Sequence, residues 1–277
     1  GVISALLGKG DAVFEDRLNH ASLLDGGLLS QARLQRYQHR NTDDLAAKLT
    51  ISKAKTKLIC TDGVFSMDGN IAPLAELVKQ SNQSSSWLMV DDAHGLGTVG
   101  ATGRGCLELI NATSEDVPIL MATLGKALGT FGAFVAGDDD LIEYLIQRAR
   151  SYIYTTAMPA AVAEATRLSL KLIDQESWRR EQLTKNISYF KQGLSQIKIK
   201  AVPDSGLKTG SETAIQPIVI GDVEQTVRLS EKLKQAGILV SAIRPPTVPD
   251  NTARLRVTLC AEHSKQHIEQ LLDSLST

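Results

Sequence analysis

The sequence predicts an α/β fold with a mostly parallel sheet, followed by a smaller α+β domain. Up to about residue 137, short apolar runs bounded by Gly, Asp, Ser or Pro alternate with helical patterns, as repeated β-α-β units do. Beyond residue 175 the alternation gives way to a charged helix and three further apolar runs. A chain of 277 residues has room for one large and one small domain, here 1–175 and 176–277.

In the first part, strands are predicted at 12–15, 57–61, 87–91, 119–122 and 133–136. Helices fit the intervals at 21–29, 43–49 and 73–80, the last with Pro73 near its first turn, where a missing N–H costs nothing. Asp138, Asp139 and Asp140 cap and charge a helix over 141–150. Pro159 opens a long helix with Val162, Ala165, Leu168 and Leu172 on one face. The second part predicts a helix over 176–197, a loop with Pro203, Asp204, Ser205 and Gly206, and a strand at 215–220. A helix at 223–235, strands at 238–243 and 254–260 and a final helix at 264–275 complete it.

Composition narrows the function. Thirty Lys and Arg nearly balance 31 Asp and Glu, so no broad field draws nucleic acid or an anionic membrane, and neither is expected as a partner. Cys60, Cys106 and Cys260 show no metal-ligand spacing; they predict reduced core thiols of a cytoplasmic protein, and no metal is expected. The apolar runs are too short to span a bilayer. The chain starts without Met and with a helical pattern under way (Val2, Ile3, Leu6, Leu7), which predicts an upstream segment.

In a parallel sheet, ligands bind at the carboxyl ends of the strands. Polar residues follow three predicted strands: Asp62 to Ser66, then Asp91, Asp92 and His94, then Thr123 to Lys126. A carboxylate such as Asp91, at a buried strand end, needs a positive partner to stay ionised, and a protonated pyridine nitrogen is one. Asp91 capping a turn, with His94 a loop histidine, is the competing structural role. Lys126 stands among glycines in Thr123-Leu124-Gly125-Lys126-Ala127-Leu128-Gly129, where desolvation turns an amine into a nucleophile. A solvated loop lysine is the plain alternative. A phosphate-loop motif fails here, because position 120 is Leu and Ala127 stands where Ser or Thr is required.

The Asp-x-x-His and Thr-x-Gly-Lys strand ends together resemble those of the α-oxoamine synthases, a pyridoxal phosphate family of the aminotransferase fold. The likeness runs through Leu18-Asn19-His20-Ala21-Ser22, 61–69, 90–100, 123–129 and Ala242-Ile243-Arg244-Pro245-Pro246-Thr247-Val248-Pro249, covering essentially the whole chain. It implies the fold type I of pyridoxal-phosphate-dependent transferases, with a mostly parallel sheet of the seven-stranded type and an N-terminal part missing from this chain. The proline-rich run, followed by Thr252-Ala253-Arg254-Leu255-Arg256, is similar to the branch that condenses L-alanine with a pimeloyl thioester, on acyl carrier protein or coenzyme A, for biotin synthesis.

The resemblance implies roles residue by residue. Lys126 would hold pyridoxal phosphate as a Schiff base and carry the substrate's α-proton. Asp91 would pair with the pyridine nitrogen, His94 and Ser66 would lie at the ring's phenolic oxygen, and Thr123 would contact the phosphate. His20 would stack on the ring and polarise the acyl carbonyl, although its place before a helix also suits an N-cap. Arg256 would clamp the amino acid's carboxylate, with Arg244 and Thr247 near the acyl chain. The resemblance further implies a homodimer with the active site near the subunit interface. Asp62 stands where the family has Glu, Leu96 where it usually has Thr, and Phe131 where a small residue is common. The competing functions are a sister synthase joining glycine to acetyl-CoA and a non-catalytic partner subunit; the second would be expected to lack the lysine.

Overall fold

A computed structural model describes residues 1–197 and 210–276. The chain divides into two compact units, one formed by Gly1–Phe65 and Ile71–Glu176, the other by Ser66–Asn70 and Ser177–Thr277. The predicted loop at 203–206 lies outside the described residues.

The first unit runs α1 (Val2–Leu6), β1 (Ala12–Asp16), α2 (Ala21–Leu29), β2 (Arg33–Tyr37), α3 (Thr42–Ile51), β3 (Lys57–Asp62), α4 (Leu74–Ser84) and β4 (Trp87–Asp91). It continues through β5 (Ile119–Thr123), β6 (Ala133–Ala136), α5 (Asp139–Arg148), α6 (Arg150–Ile153) and α7 (Ala160–Gln175). Its sheet has the order β2-β1-β3-β4-β5-β6. Every pairing is parallel except the β5–β6 hairpin. This sheet has six strands among the described residues, against the seven that the resemblance implies. The strand order reverses direction between β1 and β3, the place where such sheets open a crevice at their carboxyl ends.

Strand β2 has no counterpart among the sequence-based strands. Its Arg-Leu-Gln-Arg-Tyr lies at the sheet's edge, where only Tyr37 is buried, so it carries little of the apolar signal of a central strand. The central strands do carry it: Val13, Leu58, Cys60, Met89 and Ile119 share one face and pack against Ile3, Leu7 and Leu23.

The second unit holds α8 (Trp178–Leu194), β7 (Ile215–Gly221), α9 (Val223–Gln235), β8 (Ser241–Ile243), β9 (Ala253–Thr258) and α10 (Lys265–Ser276). Its sheet is antiparallel in the order β7-β9-β8. Phe190, Ile218, Leu233, Leu255 and Ile268 are in its core. Two boundaries differ from expectation. The Glu176 N–H still closes α7 on Leu172 O, which delays α8. Gly237 takes φ +79° and the Ile238 N–H returns to Leu233 O, so 238–240 finish the cap of α9 and do not extend β8.

Cys60 and Cys106 are buried thiols, but Cys260 is exposed because β9 ends at Thr258. None of the three is in a disulfide. Among the described residues, no helix is long and apolar enough to cross a membrane.

One core group resists the pattern. Glu15 on β1 is fully buried, with Gly27 of α2 lying against it, and neither carboxyl oxygen has a hydrogen-bond partner. Burial raises its pKa from 4.5 to about 7, with Arg36 pulling the other way. The folded state therefore holds a proton that the unfolded chain releases above pH 4.5. This costs stability progressively between pH 4.5 and 7, up to about 3 kcal/mol. Denaturant unfolding should show Glu15→Met more stable than the parent at pH 8, with the gap closing toward pH 4.5; a gap independent of pH would contradict this origin.

Candidate active site

The site is built from the carboxyl ends of β1, β3, β4 and β5. After β1 the chain turns at Asn19, whose side chain replaces a strand neighbour for the end of β3. Its Nδ2 donates to Cys60 O (2.9 Å), and its Oδ1 accepts from the Asp62 N–H (3.1 Å). The His20 N–H then donates to Asp62 Oδ2 (3.0 Å). His20 is the N-cap of α2, its Nδ1 accepting from the Ser22 N–H at 3.3 Å. The expected capping role is thus present, and it engages one ring nitrogen only.

Strands β3 and β4 place Asp62 beside Asp91 in register. Both are buried. Burial drives the pKa of Asp62 well up, and the charge of Asp91 adds to this, while the bond from the His20 N–H opposes it. Burial also raises the pKa of Asp91; the Ala93 N–H bonded to its Oδ1 (3.1 Å), Lys126 and His20 all pull it down. Lys126 and His20 thus act electrostatically on one carboxylate.

The turn after β4 is fixed by the neighbouring residue, Asp92. Its N–H continues the ladder to Met121 O on β5 (2.7 Å), and its Oδ2 accepts from the Cys106 N–H (2.7 Å). Gly63, Gly95 and Gly105 press on this carboxyl so closely that a methyl at any of them would overlap it. Asp92 O receives the Gly95 and Leu96 N–H groups, which wraps the chain around half-buried His94.

Lys126 begins the turn of the β5–β6 hairpin, where the Gly129 N–H returns to Lys126 O at 3.0 Å and Gly129 takes φ +65°. Its side chain is exposed, with Nζ 3.5 Å from Thr123 Oγ1. Phe131, in the same hairpin, is 71% exposed.

In the second unit, Arg254 and Arg256 project from one face of β9. Arg256 Nε donates to Ser66 O (2.6 Å), and burial lowers the guanidinium's pKa. Arg254, only 5% exposed, donates to Asp68 and to Thr252 O. Ser211 and Thr213 hydroxyls both donate to Gly69 O, so the 66–70 segment is held by four side chains. Arg244 and Thr247 are exposed in the loop after β8, with the Thr247 N–H on Arg244 O.

Lys126, Thr123, Asp91, His94, His20 and Asp62 therefore lie on the first unit, and Ser66, Arg256, Arg244 and Thr247 belong to the second. Sequence reasoning quoted Asn19, Ser22, Asp92, Arg254 and Asp68 within its motifs but gave none of them a role. The doubled aspartate at 91 and 92, with Gly95 and Gly97 close behind it, was the available signal for Asp92.

The first-unit residues fit pyridoxal phosphate. A cation such as a protonated pyridine nitrogen would stabilise the buried Asp91 carboxylate, and Lys126 offers an exposed primary amine in the turn after the neighbouring strand β5.

The comparisons agree with that fit. The family Aminotransferase class I and II matches residues 1–275. The 8-amino-7-oxononanoate synthase of Nitrosococcus oceani is 58% identical over 275 residues, 99% of this chain and 71% of its own. A serine palmitoyltransferase from S. paucimobilis, solved with a bound PLP–myriocin adduct, superposes with a TM-score of 0.92 at 30% identity, covering 100% of this chain and 68% of that one. The 8-amino-7-oxononanoate synthase of Francisella tularensis gives 0.82 at 34% identity, covering 99% of this chain and 77% of that one.

The packing around Asp92 is directly testable. Gly95→Ala should destabilise the protein by about 2 kcal/mol, because the added methyl meets a buried carboxylate and the Cys106 sulfur with no room to move. Thermal unfolding that matched the parent's would show that the turn can relax.

Proposed function

The chain belongs to the class I and II aminotransferase family, and from that footing we propose that it makes 8-amino-7-oxononanoate by decarboxylative condensation of L-alanine with a pimeloyl thioester. Its cofactor is pyridoxal phosphate. The observation that carries the reading is Asp91, buried at the end of β4 where burial raises its pKa, so that a cationic partner is what its carboxylate lacks.

Bound pyridoxal phosphate supplies an electron sink for negative charge at the amino acid's α-carbon. Lys126 would hold the cofactor through its amine and would carry the substrate's α-proton. Asp91 keeps the ring nitrogen protonated. Its Oδ1 accepts from the Ala93 N–H, and Lys126 pulls against the burial that raises its pKa. His94 and Ser66 would each serve the ring's oxygen edge, and Thr123 would donate its hydroxyl to the phosphate. Burial, with the charge of Asp91 adding to it, favours the protonated form of Asp62.

Arg256 binds the carboxylate of alanine through the guanidinium edge that Ser66 O does not occupy. Arg244 and Thr247 line the path of the acyl chain. His20 would stack on the ring and donate to the thioester carbonyl while the new carbon–carbon bond forms. The thiol leaves, the former alanine carboxyl departs as carbon dioxide, and a proton returned by Lys126 completes the amino ketone.

Acyl carrier protein and coenzyme A are both suitable carriers of the pimeloyl group. A homodimer in the cytoplasm is the assembly and setting we propose. Exposed Phe131, Tyr152, Tyr154, Leu168 and Leu170 offer apolar surface for a second copy, and the unbonded thiols suit a reducing compartment.

Borohydride treatment of the yellow protein should fix the cofactor to the peptide carrying Lys126, and Lys126→Ala should remove both the label and turnover. Product should form from alanine plus pimeloyl thioester and not from glycine plus acetyl-CoA. Activity confined to the second pair would overturn the substrate assignment, and an unlabelled Lys126 would overturn the mechanism.

A further inference from the structure

The ring of His20 is held at one edge by a residue two positions later. Ser22 Oγ lies 2.8 Å from His20 Nδ1, and the Ser22 N–H points at the same nitrogen from 3.3 Å. A backbone N–H can only donate, so Nδ1 must accept it. The hydroxyl can donate or accept, and both contacts are satisfied together only when Nδ1 carries no proton. The neutral ring then bears its proton on Nε2, at the opposite edge.

The backbone beneath His20 is equally constrained. Asn19 spans Cys60 O and the Asp62 N–H, Asp62 holds the His20 N–H, and the Asn19 N–H is bonded to Asp16 O. The main chain at His20 is thus pinned to the ends of β1 and β3, which leaves the side-chain torsions as the remaining freedom. Ser22 acts on those.

We propose that Ser22 is a positioning residue for His20: by holding Nδ1 as an acceptor it fixes the ring's rotation and directs an Nε2–H donor away from α2. This deepens the reading of His20 as the group that polarises the acyl carbonyl, and it rests on that reading for its catalytic consequence. Its structural half stands on the hydrogen bonds alone. A freely rotating imidazole would present the Nε2–H donor only part of the time, and misplacement of a proton donor by an ångström is enough to slow a reaction severely.

The test uses the holoenzyme and two readouts. Long-range proton–nitrogen correlation spectra of nitrogen-labelled protein resolve the five histidines, and the His20 signals are those lost in His20→Gln. They should show protonated Nε2 and bare Nδ1; a proton on Nδ1 would overturn the proposal. In steady-state assays, Ser22→Ala should lower kcat about tenfold with little change in the KM for alanine, and Ser22→Thr, which keeps the hydroxyl, should recover most of the loss. In a His20→Ala background the same Ser22→Ala change should cost nothing further. An equal cost in both backgrounds, or none in either, would show that Ser22 does not act through His20. A parent enzyme with no turnover would sink the functional reading, while the spectra would still decide the role of Ser22.

Discussion

The first unit is organised around carboxylates buried at the ends of adjacent strands. Asp62 and Asp91 are in register on β3 and β4, and Asp92 follows at once, so negative charge collects where water is scarce. Such a cluster is tolerable only if protons or cations answer it. Its surroundings read as those answers: backbone N–H groups from His20, Ala93 and Cys106, and the basic side chain of Lys126. A cofactor with a protonated ring nitrogen and an aldehyde suited to an amine meets both halves of that demand.

Parallel pairing makes the cluster possible. With β1, β3, β4 and β5 running the same way, every carboxyl end faces one side, and each contributes its first polar residues to a common place. The antiparallel β9 of the second unit solves a different problem. Arg254 and Arg256, two residues apart, share a face; Arg254 is engaged by Asp68, Met67 O and Thr252 O, while Arg256 donates from Nε to Ser66 O and from Nη1 to Thr258 Oγ1 and has Nη2 left for a ligand.

Much of this was legible in the sequence because buried strands and their polar sequels leave strong local marks. The runs before Asp62, Asp91 and Thr123 predicted both the strands and the residues after them. What escaped was decided by distant pairing. Strand β2 looked polar because it is an edge. Asn19 and Ser22 are ordinary loop and helix-start residues until the structure brings β3 beside one and turns a histidine ring toward the other. The 66–70 segment lies between residues of the first unit in the chain yet packs with the second, which no local pattern announces. Cys260 shows the converse error: an apolar run continued past the point where its strand stopped pairing.

Gly63, Gly95 and Gly105 come from separate stretches of chain, yet all abut the carboxyl of Asp92. Their freedom to vary is therefore not independent. A side chain at any one of them meets the same obstacle, so while Asp92 stays, each substitution carries its own steric cost. Shortening Asp92 would ease the crowding at all three while depriving the Cys106 N–H of its acceptor. Gly105 would remain bound to glycine even then by its φ of +91°. The turn that presents Asp91 and His94 thus drifts as a block: its four crowded positions form one epistatic unit, in which the order of changes decides whether a lineage can pass through them.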